Sequence, residues 1–181
     1  MSIFLKFVIF GSLALLGGQL LFSWLRLRGG MVGVTPIPWR MLFLAKLSVA
    51  ISLLCVPLQV LGGESQVRPQ AIAAFLFLWL GGTLILAVAF HRLGTNLRMG
   101  LPSGQATLIT SGIYRFSRNP IYLGIFFLMA ASLVYAPSWL NLVSVFTAAM
   151  LHHRIILAEE RFLAGRFPEY ETYRRAVRRY L

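Results

Sequence analysis

From Pro120 to Leu151 the chain runs 32 residues without a single charged side chain. As one helix this stretch would be about 48 Å long. The hydrocarbon core of a bilayer is about 30 Å thick, so the stretch must turn back on itself. Pro137, in the run YAPSW, is the natural turn, because proline cannot donate an interior helix hydrogen bond. The pattern predicts a tight hairpin, with one span from about Asn119 to Ala136 and the next from about Ser138 to Leu157.

Three further runs have the same character: about Ile3 to Leu25, Met41 to Leu61, and Gln70 to Phe90. The first could pass for a signal peptide, with Lys6 as its basic flank. The apolar stretch after Lys6 exceeds the usual ~7–15 residue core, and Gln19 to Trp24 shows no A-x-A site. It reads as a retained span. Only 12% of residues are charged, mean hydropathy is +0.76, and soluble domains carry about 25% charge. The expected fold is therefore an all-α integral membrane domain of five transmembrane helices: two N-terminal spans over residues 1–66, then a core over 67–181.

The net charge of +12 follows topology. Fourteen basic residues fall on one side: Arg26, Arg28 and Arg40; Arg92, Arg98, Arg115 and Arg118; and the run from Arg154 to Arg179. Lys6 and Arg68 fall on the other, and Lys46 lies within the second span. The positive-inside rule then puts the N-terminus outside and the C-terminus in the cytoplasm of a multi-pass protein, as in a bacterial inner membrane. No nucleic-acid motif accompanies the charge. Cys55 is the sole cysteine, and the histidines have few carboxylates beside them, so neither a disulfide nor a metal site is expected. After Pro168, Tyr170, Tyr173, Val177 and Tyr180 recur at three and four residues among arginines. That spacing predicts an amphipathic helix from Pro168 to Tyr180, set off by Gly165, that lies on the cytoplasmic leaflet or covers a site.

Polar chemistry concentrates in Thr107–Gly124, TLITSGIYRFSRNPIYLG, and in Glu159-Glu160, two of five acidic residues. Arg118 is a bidentate donor suited to a carboxylate. Asn119 precedes Pro120, which favours extended backbone ahead of a helix. Tyr114 and Tyr122 bring aromatic faces with hydroxyl tips. Glu159 and Glu160 can accept from ribose hydroxyls or an ammonium. S-adenosylmethionine carries a carboxylate, an ammonium, a ribose and an adenine, and its sulfonium suits aromatic faces. From chemistry alone, the same arginines and tyrosines also read as interface anchors.

The segment SGIYRFSRNPIYLG, the charge-free hairpin, the EE pair and the ending FPEYETYRR resemble the isoprenylcysteine carboxyl methyltransferase and phospholipid methyltransferase superfamily of membrane enzymes. The resemblance covers about Gly94 to Tyr180. It implies a methyltransferase that uses S-adenosylmethionine. Thr107, Leu108 and Ile109 would line the cofactor, and Tyr114 would contact it. Asn119, Pro120, Ile121 and Tyr122 would form the turn that holds it, and Glu159 with Glu160 would complete the pocket. Arg154 would meet the methyl acceptor, a lipidic or small apolar molecule reached from the bilayer. Three positions depart from the pattern. Asn119 stands where histidine is usual. Phe167-Pro168-Glu169-Tyr170 is one residue short, and the chain closes on Arg-Arg-Tyr-Leu. Two rival readings are a membrane sterol-type reductase using NADPH and a non-enzymatic scaffold or small transporter.

Overall fold

The computed structural model describes residues 3–26, 37–62, 69–93 and 107–181. These form α1 (Ile3–Arg26), α2 (Trp39–Leu61), α3 (Pro69–Leu93), a 3-10 turn at Gly112–Arg115, α4 (Pro120–Tyr135), α5 (Trp139–Arg166) and α6 (Tyr170–Ala176). The connections that hold Arg28, Arg68 and Arg98 lie outside the described residues. Among the described residues, α1, α2, α3 and α5 are long and apolar enough to cross a membrane, and α4 is a shorter apolar helix of 16 residues. Their outer faces carry large bare hydrophobics, among them Phe7, Phe77 and Trp139 at 76%, 72% and 82% exposure. In water such a surface would associate; in a bilayer it is the lipid contact.

The hairpin forms as its residues dictate. Pro120 sits in the first turn of α4, where its missing N–H costs nothing. Three residues, Ala136 to Ser138, turn the chain. The Ser138 hydroxyl caps α5 by accepting from the Asn141 backbone N–H at 3.2 Å. Asn141 in turn donates to the Ala136 carbonyl at 3.0 Å, and Ser132 donates to the Asn141 side-chain oxygen at 3.2 Å. The Ser132 and Ser52 hydroxyls meet at 2.7 Å, which joins α4 to α2. With no water to serve them, the buried polar atoms of the turn satisfy one another.

α4 is the central helix and contacts α3, α2 and α5; α2 packs on α5, and α1 packs on α3. The core joins Phe75, Trp79, Leu128 and Tyr135 to Ile9 and Val56, and the Trp79 indole donates to Ser12 of α1 at 2.7 Å. The α3–α4 contact is glycine on glycine. A Cβ on Gly124 would fall 2.7 Å from Leu86 Cγ and 3.0 Å from the Gly82 carbonyl. Small residues that let backbones approach in this way replace the hydrophobic driving force that lipid removes.

Two expectations are corrected. α5 does not end near Leu157, and Gly165 does not interrupt it; the helix runs to Arg166. At 28 residues it is about 42 Å long, so its Arg161–Arg166 end stands beyond a hydrocarbon core of about 30 Å. The tail helix is confined to Tyr170–Ala176, with Pro168 ahead of it. From Val177, itself extended, the backbone leaves the helix, because Arg178 and Arg179 bond to the segment before α4. That tertiary pairing overrides the local periodicity.

The glycine contact makes a prediction. Gly124→Ala overpacks α3 against α4 and is expected to destabilise by about 1–3 kcal/mol. Gly165→Ala meets no atom within 4 Å and is expected to hold or raise stability. Thermal unfolding of both variants in detergent checks this; equal midpoints would contradict the packing.

Candidate functional site

The polar residues singled out in the sequence gather at one end of the bundle, where α4 begins, α5 ends and the tail returns. The 3-10 turn opens on Gly112 at φ +65°, a left-handed conformation that glycine adopts without strain. Arg92, at the end of α3, donates to the Ser111 hydroxyl and flanks Gly112. Held there, the turn buries Tyr114. Burial pushes the Tyr114 phenol well above its ordinary value, and nearby Tyr173 and Glu159 add to the effect. It is a neutral hydroxyl.

Adjacent residues on an α-helix point about 100° apart, and the two glutamates accordingly serve different neighbourhoods. Glu160 is buried and fully engaged. Asn119 Nδ2 donates to Oε1 at 2.9 Å. Arg179 donates through Nε at 3.2 and 3.1 Å and through Nη2 at 3.0 Å. Arg118 lies 3.3 Å away, and both side chains of that pair are 8% exposed. Glu160 thus ties the N-terminus of α4 and the returning tail to α5. The bond to Glu160 also pushes the Arg179 guanidinium above its ordinary value.

The backbone repeats the attachment. The Arg118 N–H donates to the Arg178 carbonyl at 3.0 Å. The Ser117 hydroxyl and Asn119 Nδ2 donate to the Arg179 carbonyl at 3.2 and 3.3 Å. Arg118 Nη1 donates to the Arg174 carbonyl at 2.9 Å. Tyr173 donates to the Tyr114 carbonyl at 2.7 Å, and the Tyr180 hydroxyl pairs with His153 Nδ1 at 2.7 Å. Burial raises the Tyr170 and Tyr173 phenols to about 12.

Glu159 faces the other way. Tyr122 donates to its Oε1 at 2.9 Å, and Lys46 of α2 interacts electrostatically with it and with His152. Glu159 and Tyr122 are half-buried, whereas Lys46 is exposed on the flank of α2. The Tyr122 and His152 rings are 5.7 Å apart. Glu159 thus belongs to a partly open group formed by α2, α4 and α5.

Several buried polar atoms have no partner: Arg118 Nε, the Tyr170 hydroxyl and His152 Nε2. An unpaired N–H on a buried guanidinium costs free energy unless a ligand meets it. Arg118 therefore combines one hydrogen-bonded edge with a donor still to be filled.

The structure brings Tyr114, Arg118, Asn119, Pro120, Tyr122, Glu159 and Glu160 to one end of the bundle. Thr107 is exposed, and Leu108 and Ile109 are half-buried in the lead into the turn; Ile121 is half-buried on α4. Arg154 is exposed on α5, about one and a half turns before the glutamates. Gly124, the last residue of the motif, serves the contact with α3. Sequence reasoning missed Ser117, Arg179, Lys46 and His152. For Lys46 the signal was present, since a lone charge inside an apolar span is costly and marks function.

Residues 70–170, more than half of the chain, match the phospholipid methyltransferase family. The chain belongs to that family. Comparison with curated proteins and with solved structures finds no match. In this phospholipid methyltransferase family member, the matched segment begins with α3 and ends at Tyr170, so it contains the turn, the hairpin and both glutamates. It excludes α2, which supplies Lys46, and the Arg178–Tyr180 strap.

Glu160→Ala is expected to free the tail and leave the Arg118 charge unpaired in a buried position. Breaking a buried ion pair costs about 3–5 kcal/mol. Thermal unfolding should fall accordingly, and trypsin should cut after Arg178 much faster. Unchanged stability and unchanged protection would contradict the assignment of Glu160 as the anchor.

Proposed function

We propose that this membrane methyltransferase uses S-adenosylmethionine as its methyl donor and methylates a lipidic or small apolar acceptor on the cytoplasmic side. The observation that supports it best is the division of the acidic pair, together with the unfilled Arg118 donor. Glu160 is consumed by structural bonds, whereas the Tyr122 bond occupies only one of the two Glu159 oxygens. Glu159 can therefore accept from a ribose hydroxyl or an ammonium, while Arg118 Nε can meet a carboxylate. These donors and acceptors match the polar ends of the proposed cofactor.

When bound, S-adenosylmethionine supplies an electrophilic methyl on a sulfonium. The protein's contribution is proximity and orientation. Asn119 and Pro120 fix the turn, and Glu160 fixes Asn119 and Arg118. Tyr122, held by Glu159, presents an aromatic face that tolerates a cation. Thr107, Leu108 and Ile109 would lie along the cofactor as the chain approaches the turn, and Glu160 would act through Asn119 and Arg118. Arg154 would meet the acceptor from the bilayer side of α5. A soluble cofactor enters from the arginine-rich end, while an apolar acceptor enters between helices. The resemblance spans phospholipid-methylating and carboxyl-methylating enzymes, and Asn119 in place of the usual histidine weakens the carry-over of the carboxyl-methylating substrate.

Thermal shift in detergent tests the reading. S-adenosylhomocysteine should stabilise the protein, and NADPH should not. Tyr122→Ala and Glu159→Gln should each weaken S-adenosylhomocysteine binding about tenfold to a hundredfold, because a hydrogen bond to a charged group contributes about 1.5–3 kcal/mol. Stabilisation by NADPH alone, or unchanged affinity in both variants, would overturn the reading.

A further inference from the structure

His152 is wholly buried at 0% exposure and lies two helical turns before Glu159 on the same face of α5. Seven residues correspond to about 10 Å along the axis, so His152 lies deeper in the bilayer than Glu159. Its Nδ1 is 2.8 Å from the Ala148 carbonyl. A carbonyl oxygen can only accept, so Nδ1 carries the hydrogen. In the neutral ring Nε2 is then a bare lone pair, and it has no partner. The ring is also fixed in place, by that bond on one side and by Tyr122 at 5.7 Å on another. The groups that act on it from other helices are Lys46 of α2 and Tyr122 of α4.

A buried acceptor atom without a donor calls for an explanation. Orienting one imidazole nitrogen through a bond on the other is how proteins prepare a base. Nothing in cofactor recognition, as described above, requires it. The geometry points to His152 Nε2 as the proton acceptor for the methyl acceptor, which therefore reaches the site with a hydrogen on its nucleophilic atom, as an ammonium does. The inference rests on the methyltransferase reading and narrows it, since a carboxylate acceptor needs no base. In the balanced step, one N–H proton of the ammonium passes to Nε2. The nitrogen pair freed in this way forms the bond to the donor's methyl, and the carbon–sulfur pair returns to sulfur. A neutral thioether and a methylated ammonium result. The depth of His152 suits an acceptor that arrives from the bilayer, while Glu159 stands nearer the aqueous end.

Two measurements test the assignment. In detergent micelles, ¹⁵N-histidine spectra of the wild-type protein with S-adenosylhomocysteine bound should show the Nε2 signal of His152 shift on addition of phosphatidylethanolamine. Phosphatidylcholine, which has no N–H, should leave it unmoved. His152→Gln should lower methyl transfer to phosphatidylethanolamine by about a hundredfold or more, the usual size of general-base catalysis, and keep S-adenosylhomocysteine affinity within about threefold. Bound S-adenosylhomocysteine with an Nε2 signal that ignores both lipids, or full transfer by His152→Gln, would overturn the role of His152 and leave the methyltransferase reading intact. Absence of S-adenosylhomocysteine binding to the wild type would overturn both.

Discussion

One buried carboxylate organises this end of the molecule. Glu160 receives Arg118 and Asn119 from the start of α4 and Arg179 from the last few residues of the chain. Three segments far apart in sequence are held by a single side chain. Charge-assisted bonds of this kind are roughly twice as strong as neutral ones. They are strongest where water is scarce, and Glu160 is 7% exposed. If this carboxylate were lost, Arg118 would stand as an unpaired buried cation, and the strap from Arg178 to Tyr180 would keep only the bonds to its backbone carbonyls and the Tyr180–His153 pair. The positions of Asn119 and Arg118, on which ligand recognition would rest, depend on it.

The bilayer sets the second constraint. Helices among lipid cannot rely on water to drive them together. Close backbone contact at Gly82 and Gly124 and the Ser52–Ser132–Asn141 chain of hydrogen bonds serve instead. α4 is about 24 Å long and is enclosed by α2, α3 and α5, so its N-terminus sits within the bundle. α5 runs about 42 Å and carries both glutamates at the far end. The difference in length creates the site: a short helix ends where a long one continues, and the tail folds over the step.

Much of this was legible in the sequence. Hydropathy located the spans, and a 32-residue uncharged run with one central proline located the hairpin. The motif from Gly112 to Gly124 and the acidic pair do meet. Other features depend on contacts that local pattern cannot carry. The tyrosine spacing after Pro168 suggests a helix to Tyr180, yet the helix ends at Ala176 because Arg178 and Arg179 pair with Ser117, Arg118 and Asn119. Two neighbouring glutamates look equivalent in sequence. Only the packed helix shows that one is buried in arginines and the other faces Tyr122 and Lys46. His152 reads as one of several polar residues near a span end until Ala148 fixes its ring and its other nitrogen is left bare.

The proposed methyl transfer takes place at the end of the bundle where Glu159 and Arg118 stand. Its most direct test is transfer of label from methyl-labelled S-adenosylmethionine into membranes that hold the protein, followed by solvent extraction. Label that enters the lipid fraction with the wild-type protein, and falls to background with Glu159→Gln at equal protein level, is the predicted result. Lipid label equal to that of membranes without the protein, or equal for wild type and Glu159→Gln, would contradict it.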